Sequence, residues 1–319
     1  MRKIWVVIIL LLVLMIGAAI WWNRGLLAAN SKDNTPVIFS VKPGEGVREI
    51  SNELKSQGLI KDPIVFFLFT RINGYDKQIQ AGDFRLTPSM SAGEVAINLT
   101  HGTLDIWVTV PEGLRAEEIA DILKAKLPKY DETWRPTLDA NEGYLFPDTY
   151  LIPRDANVNT VVSLMRENFN KKYASVSNTK TTKLTDAQTI ILASIIEKET
   201  KFAQDRPLVA SVFVNRLNIG MALGSDPTVM YALGFQKDEK TWWKKDLTVD
   251  DLNIDSPYNT RKNAGLPPTA IANPGLSAIE AALNPANTNY MYFFADKQGH
   301  LHFATNLQGH NANIQKYGE

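Results

Sequence analysis

The chain has 319 residues, of which 45% are hydrophobic, so it can form two or three compact units with substantial cores. Thirty-four basic residues balance thirty-four acidic residues, and a chain without net charge offers no field that would attract nucleic acid. Cysteine is absent, which excludes disulfides, thiolate metal sites and a cysteine nucleophile.

The first residues predict a membrane anchor. Arg2 and Lys3 precede an uninterrupted apolar run from Ile4 to Trp22, and about 20 apolar residues span a bilayer. Basic residues before the run and tryptophans at its end favour a single-pass helix with the N-terminus in the cytoplasm. The alternative is a cleaved signal peptide, but the run is longer than the apolar core of most signal peptides. We expect an anchor in the inner (cytoplasmic) membrane at residues 1–25 and a polar linker at residues 26–36, with the rest of the chain extracytoplasmic.

A small α/β unit is predicted at residues 37–104. Val37–Val41 and Asp83–Leu86 have the pattern of strands, and Val47–Gln57 has apolar residues at helical spacing. Ser91–Leu99 predicts a second helix with its serine as the N-cap.

The remaining residues, 105–319, predict a larger mixed α+β domain, so the fold class is α+β. A strand at Trp107–Val110, a glycine turn and a helix at Ala116–Leu127 repeat the strand, turn and helix of the first unit. Two copies are too few for a solenoid. The aromatic, proline-rich segment Glu142–Asp155 is predicted as a connection to a helix at Val158–Tyr173.

The most informative helix is predicted at Thr185–Thr200, where a threonine and a glutamine form a capping box. At about 100° per residue, Glu199 lies on the same arc as the isoleucines of this helix. Glu197 lies on the opposite face, where an exposed pair with Lys201 is expected.

Two roles are open for Glu199. A carboxyl among apolar side chains has a raised pKa, so it can keep the proton that a general acid needs near neutral pH. The alternative is a structural ion pair of Glu199 with Arg206 or Arg216, because buried charges usually have partners. The pattern alone gives the two roles equal weight.

Seven sequence strings resemble those of the endolytic murein transglycosylases of the MltG (YceG-like) family, and the resemblance covers nearly the whole chain from the predicted anchor to His310. They are "EGYLFPDTY", "LASIIEKET" with "VASVFVNRL", "GMALGSDPTVMYAL", "SPYNTRKNAGLPPTAIANPG", "ALNPANTNYMYFFAD" and "HFATNLQGHN". In that family the second glutamate of the E-K-E-T string is catalytic, which implies Glu199 here. The resemblance also implies that the first unit is a LysM-like subdomain that holds glycan.

The implied activity is that of a lyase which cleaves the MurNAc–GlcNAc bond within peptidoglycan strands, leaves 1,6-anhydro-MurNAc ends and terminates the growth of nascent strands. One acid suffices, because the muramic 6-hydroxyl is a tethered nucleophile. No paired carboxylate motif of an ordinary glycosidase is evident. The alternatives are a membrane-anchored, non-catalytic peptidoglycan-binding scaffold and a wall glycoside hydrolase. Expected partners are glycan strands, the membrane and penicillin-binding wall synthases.

Further polar residues in the family's strings are candidate substrate contacts: Glu142, Asp226, Thr228, Tyr258, Asn259, Asn306 and His310. Asp226 has the alternative role of helix cap, Tyr258 and Asn259 that of a turn, and Glu142 that of a hydrogen bond within a loop. For His310 the alternative is a packed or surface histidine. No cofactor is expected, and no metal site either, since the four histidines include no helical pair with a carboxylate.

Overall fold

The computed structural model describes residues 2–100, 105–154 and 156–318. These residues form α-helices and three two-stranded sheets, so the predicted α+β class is confirmed. The chain divides into two compact units, one of residues 1–106 with 151–155 and one of residues 107–150 with 156–319.

The chain begins with helix α1, Arg2–Leu26. In the part of the chain that the structure describes, no helix combines the length and the hydropathy of a membrane span. The anchor therefore stays a prediction.

The first unit has a core between a small sheet and three helices. Strand β1 (Val37–Val41) pairs antiparallel with β2 (Gly82–Leu86), with Phe39 opposite Phe84. Alternation along both strands points every second side chain inward. The helices are α2 (Val47–Ser56), α3 (Pro63–Ile72) and α4 (Ala92–Thr100). The hydroxyl of Ser91 accepts from the backbone N–H of Glu94, as expected of an N-cap, and the predicted strands and helices of this unit are confirmed.

The repeated strand, turn and helix is also confirmed. Strand β3 (Asp105–Thr109) and helix α5 (Ala116–Lys126) correspond to β1 and α2. Both turns contain a left-handed glycine, Gly44 at φ 81° and Gly113 at φ 75°, and glycine adopts this conformation at little cost.

The second unit is built around helix α8, Asp186–Glu199. It packs against α9 (Arg206–Asn218), α10 (Asp226–Leu233) and α12 (Leu276–Leu283). Leu192, Ile195 and Ile196 have no exposed surface, but neither does Ala193 on another side of the helix. The helix is therefore surrounded by protein rather than half-exposed. Each fully buried leucine or isoleucine contributes about 1.5–3 kcal/mol relative to an exposed one.

The remaining elements include the predicted helix at Val158, which is confirmed. The segment predicted only as a connection contains a strand, β4, which pairs with β3, and the C-terminal region has a hairpin of β5 and β6. The bounds are α6 Arg135–Asp139, β4 Thr149–Pro153, α7 Val158–Val176, α11 Val249–Leu252, β5 Tyr292–Ala295, β6 Leu301–Ala304 and α13 Leu307–Tyr317.

Candidate active site

The C-terminal end of α8 places three consecutive charged side chains in three different environments. The predicted capping box of Thr185 and Gln188 opens the helix, and the helix ends at Glu199. Successive residues of a helix point about 100° apart, so Glu197, Lys198 and Glu199 reach different neighbouring segments. The helix end is therefore fixed from several sides.

Glu197 does not face water, so the predicted exposed pair with Lys201 is wrong. One carboxylate oxygen of Glu197 lies 2.6 Å from Nη2 of Arg206, and the other accepts from the backbone N–H of Gly275 at 3.0 Å. The side chains of Glu197 and Arg206 are 7% and 9% exposed. The prediction failed because it assumed that only one face of α8 is buried. Removing one partner of such a pair strongly destabilises the fold, because the other charge is left buried without a partner.

Lys198 fixes the helix end to the turn before α5. Its Nζ donates to the carbonyl oxygen of Gly113 at 3.1 Å and lies 3.8 Å from the centroid of the Trp243 indole. The cation and the ring attract each other, because the face of an indole is negative. Trp243 in turn donates through Nε1 to Glu118 at 2.9 Å. This tryptophan is used in packing.

Glu199 lines a cavity of about 300 Å³ within the second unit. Its Oε1 accepts a hydrogen bond of 2.5 Å from the hydroxyl of Ser225. The volume is at the lower end of the range for sites that bind small molecules. A carboxyl with one oxygen held and an open space beside it can transfer a proton to a group that enters the cavity.

The environment of Glu199 favours the protonated carboxyl. Burial raises the pKa of Glu199 to about 7, while the hydrogen bond from Ser225 and the positive charges of Arg261 and Arg216 oppose this rise. The negative charge of Asp226 adds to it. The last turn of a helix also disfavours a negative charge. Glu199 therefore keeps a large protonated fraction near neutral pH, as the sequence predicted for a general acid.

The alternative role of Glu199 in an ion pair is not what the structure shows. Arg206 pairs with Glu197 instead. The guanidinium of Arg216 is directed to backbone, with Nε donating to the carbonyl of Met291 at 2.7 Å and Nη1 to that of Leu223. Arg216 lines the same cavity as Glu199, and its charge acts there at longer range.

Two of the other predicted site residues lie in this cavity. Asp226 is the first residue of α10 and forms an ion pair with Arg261, whose Nε lies 2.8 Å from its Oδ1. It is not the N-cap, because Ser225 occupies that position. His310 stacks on Tyr292, and its Nδ1 is buried without a partner among the described residues. Burial lowers the pKa of His310, and the charge of Arg216 lowers it further.

Four predicted contacts do not line the cavity, and their polar groups have partners within the protein. The hydroxyl of Thr228 bonds Ser225 and Thr260, and the amide of Asn259 donates to two backbone carbonyls. The hydroxyl of Tyr258 forms a hydrogen bond with the hydroxyl of Thr269, and its ring packs on a second tyrosine. Asn306 is the N-cap of α13. Their contact with substrate stays a prediction.

Glu142 lies in a different cavity, of about 210 Å³. Its carboxyl accepts from the backbone N–H of Ala116 at 3.0 Å and from Nδ2 of Asn273 at 2.7 Å. Glu142 is 6% exposed, and burial raises its pKa to about 8. Hydrogen bonding within a loop was the alternative role of Glu142, and its carboxyl is indeed hydrogen-bonded. One donor, however, comes from Asn273, which lies 131 positions away in the chain.

Sequence reasoning missed Ser225, which bonds Glu199, and two parts of the cavity lining, Arg261 and the wall of Phe213, Leu223 and Phe293. Ser225 precedes Asp226 and Pro227, and serine before such a pair is typical of an ordinary helix cap. No local pattern distinguishes a cap from a serine that bonds a distant carboxyl. Only the packing of α10 against the end of α8 distinguishes the two roles.

The comparisons with known proteins identify one family. A family profile described as the YceG-like family matches residues 39–316. A Bacillus subtilis (strain 168) protein named endolytic murein transglycosylase is 34% identical, over 95% of this chain and 91% of that protein. A Streptococcus pneumoniae (serotype 2, strain D39) protein of the same name is 31% identical, over 92% of this chain and 60% of that protein.

A solved structure gives the same result. The crystal structure of a YceG-like protein from Listeria monocytogenes is 30% identical in sequence and superposes with a TM-score of 0.56, over 87% of this chain and 99% of that one. The chain belongs to the YceG-like family, as its sequence strings predicted.

Proposed function

We propose that the protein is an endolytic murein transglycosylase, a lyase that cuts peptidoglycan strands internally and leaves 1,6-anhydro-MurNAc ends. The observation that carries this proposal is Glu199 itself, a carboxyl with its pKa raised to about 7 beside a polar cavity. The names of two relatives that cover more than nine-tenths of this chain support the same activity. Such cleavage would terminate the growth of nascent strands.

The reaction needs one acid. Glu199 transfers its proton to the oxygen that bridges MurNAc and GlcNAc, and the bond to the anomeric carbon breaks. The N-acetyl group of the substrate stabilises the positive anomeric centre. The carboxylate of Glu199 then removes the proton of the muramic 6-hydroxyl, whose oxygen closes the anhydro ring. Because this nucleophile is tethered, the second step has the effective concentration of an intramolecular reaction.

The cavity suits this chemistry. Arg216 and Arg261 lie near Glu199 and favour the carboxylate that forms when the proton leaves. The apolar side chains of Phe213 and Phe293 form a wall on which a sugar ring can pack.

Digestion of purified peptidoglycan tests the proposal. Wild type should release fragments with 1,6-anhydro ends, detected by mass spectrometry, and Glu199→Gln should release almost none while it still binds the wall. Reducing ends from the wild type would indicate a hydrolase instead. Binding without cleavage by both proteins would indicate a scaffold.

We propose further that the N-terminal helix anchors the protein in the cytoplasmic membrane and that the catalytic unit is extracytoplasmic. We also propose that the first unit holds glycan in the manner of a LysM domain and that the penicillin-binding synthases of the wall are partners. The anchor is supported by the apolar run from Ile4 to Trp22 and by consecutive exposed apolar side chains from Leu10 to Ile16, which need an apolar environment. Membrane fractionation of the full chain tests the anchor. Recovery in the wash with high salt contradicts it.

A further inference from the structure

The loop before α10 holds a serine that does not cap its own helix. Ser225 occupies the N-cap position of α10, yet its side chain makes no capping hydrogen bond. An N-cap serine ordinarily accepts from the backbone N–H three residues later. The hydroxyl of Ser225 instead donates to Oε1 of Glu199, which lies 26 residues earlier in the chain.

The backbone of Ser225 is fixed by a small network of buried hydroxyls. Its N–H donates to the hydroxyl of Thr260 at 3.1 Å, and its carbonyl accepts from the hydroxyl of Thr228 at 2.6 Å. These two hydroxyls also lie 2.9 Å apart, and Ser225, Thr228 and Thr260 are each at most 1% exposed. The network fixes the position of the Ser225 hydroxyl relative to the end of α8.

The hydrogen bond leaves the two carboxyl oxygens of Glu199 in different environments. Oε1 accepts from Ser225, whereas Oε2 receives no hydrogen bond from the residues that the structure describes, in a side chain that lines the cavity. A carboxylic acid has one carbonyl oxygen and one hydroxyl. With Oε1 as the carbonyl oxygen that accepts from Ser225, the proton of the acid lies on Oε2.

We propose that Ser225 is a positioning residue of the reaction, which orients Glu199 so that Oε2 carries the transferable proton into the cavity. This inference rests on the proposed function of Glu199. Ser225 keeps its own proton throughout. The proton on Oε2 passes to the bridging oxygen, and the hydrogen bond from Ser225 then becomes charge-assisted, because Oε1 belongs to a carboxylate. A hydrogen bond that strengthens during the reaction lowers its barrier.

The same bond affects the acidity of Glu199. A hydroxyl that donates to the carboxylate stabilises the charged form and lowers its pKa. The other charged or titratable groups in the cavity are Asp226, Arg261, Arg216 and His310, and none of them changes when only Ser225 is replaced. Removal of the hydroxyl should thus raise the pKa of Glu199.

The test compares Ser225→Ala with Ser225→Thr, which keeps a hydroxyl, and with Ser211→Ala. Ser211 is a matched control, because it is 2% exposed and its hydroxyl bonds Leu208 and Thr288 rather than Glu199. We expect Ser225→Ala to lower the rate of anhydro-end formation about 10- to 100-fold and to move the alkaline limb of the rate profile to higher pH. Ser225→Thr should recover most of the rate, and Ser211→Ala should keep the wild-type profile.

A direct titration makes the result independent of turnover. The carboxyl carbon of Glu199 in ¹³C-glutamate-labelled full chain is assigned by its absence from Glu199→Gln. The pKa of Glu199 should rise in Ser225→Ala and stay unchanged in Ser211→Ala. An unchanged or lower pKa in Ser225→Ala overturns the inference, as does a rate loss equal to that of Ser211→Ala. If Ser225→Ala does not fold, Ser225→Cys, which donates only weakly, replaces it in the same titration. Wild type without anhydro ends would contradict the proposed function, and the titration would still show whether the hydroxyl of Ser225 donates to Glu199.

Discussion

Two glutamates of the second unit, Glu199 and Glu142, differ in what surrounds their oxygens. Burial raises the pKa of both, to about 7 for Glu199 and to about 8 for Glu142. Glu142 accepts from a backbone N–H and from the amide of Asn273, so both of its oxygens have donors. Both glutamates line cavities, but Glu199 has a donor to one oxygen only among the described residues. A raised pKa therefore does not identify the acid by itself, and the oxygen without a donor separates the two residues.

The largest expected effect is on turnover. Glu199→Gln should lower the rate of anhydro-end formation roughly 100- to 10,000-fold, which is the usual contribution of general acid–base catalysis. Glu142→Gln should keep the rate within about tenfold, because its carboxyl only joins two segments of the fold. Mass spectrometry of wall digests at pH 6 measures both. The opposite order would assign the acid to Glu142.

The next effect concerns the support of Glu199. Arg206→Ala leaves Glu197 buried without its partner, so the free energy of unfolding should fall by about 3–5 kcal/mol. Lys124→Ala is the control, since its pair with Glu132 is exposed on both sides and its loss should change the free energy of unfolding far less. Urea unfolding measures the two losses. Equal losses would contradict a buried, structural pair at the end of α8.

The pH dependence of stability distinguishes the two carboxyls. A carboxyl whose pKa is raised in the folded protein makes its full contribution to the free energy of unfolding below its unfolded pKa of about 4.5. This contribution is lost as the pH rises through the folded pKa. Glu142→Gln should remove most of the fall in the free energy of unfolding between about pH 4.5 and 8, a fall on the order of a few kcal/mol. Glu199→Gln should do the same between about pH 4.5 and 7. Urea unfolding at pH 5, 6.5 and 8 measures this, and a wild-type slope in Glu142→Gln would contradict the burial of its charge.

The smallest effect concerns the rim of the cavity. Asp226→Asn removes a negative charge that raises the pKa of Glu199 and frees Arg261 from its pair, and both changes favour the carboxylate. The alkaline limb of the rate profile should move to lower pH by a fraction of a unit. Glu280→Gln, an acid that lines a different cavity, should leave it unchanged. A shift to higher pH would show that Asp226 acts on Glu199 in some other way.

Much of the first unit could be predicted from its sequence. The strand at Val37–Val41 has the predicted bounds, and the helices and their serine cap were expected from periodicity and local chemistry. The start of α8 was predicted for the same reason, because a capping box involves residues three apart. Strand β4 was missed because its pairing partner lies some 40 residues earlier, and its own segment is rich in prolines and aromatics.

The sequence by itself determined the α+β class, the positions of several helices, the family and the position of Glu199 at the end of an apolar helix, because these depend on residues near one another in the chain and on recognisable strings. Only the tertiary structure decided which carboxyl keeps an oxygen without a donor among the described residues, that Glu197 is buried with Arg206, and that the hydroxyl of Ser225 bonds Glu199 instead of capping its own helix. The reason is physical: these properties depend on how α8, α9 and α10 approach one another, and helical periodicity describes one helix at a time.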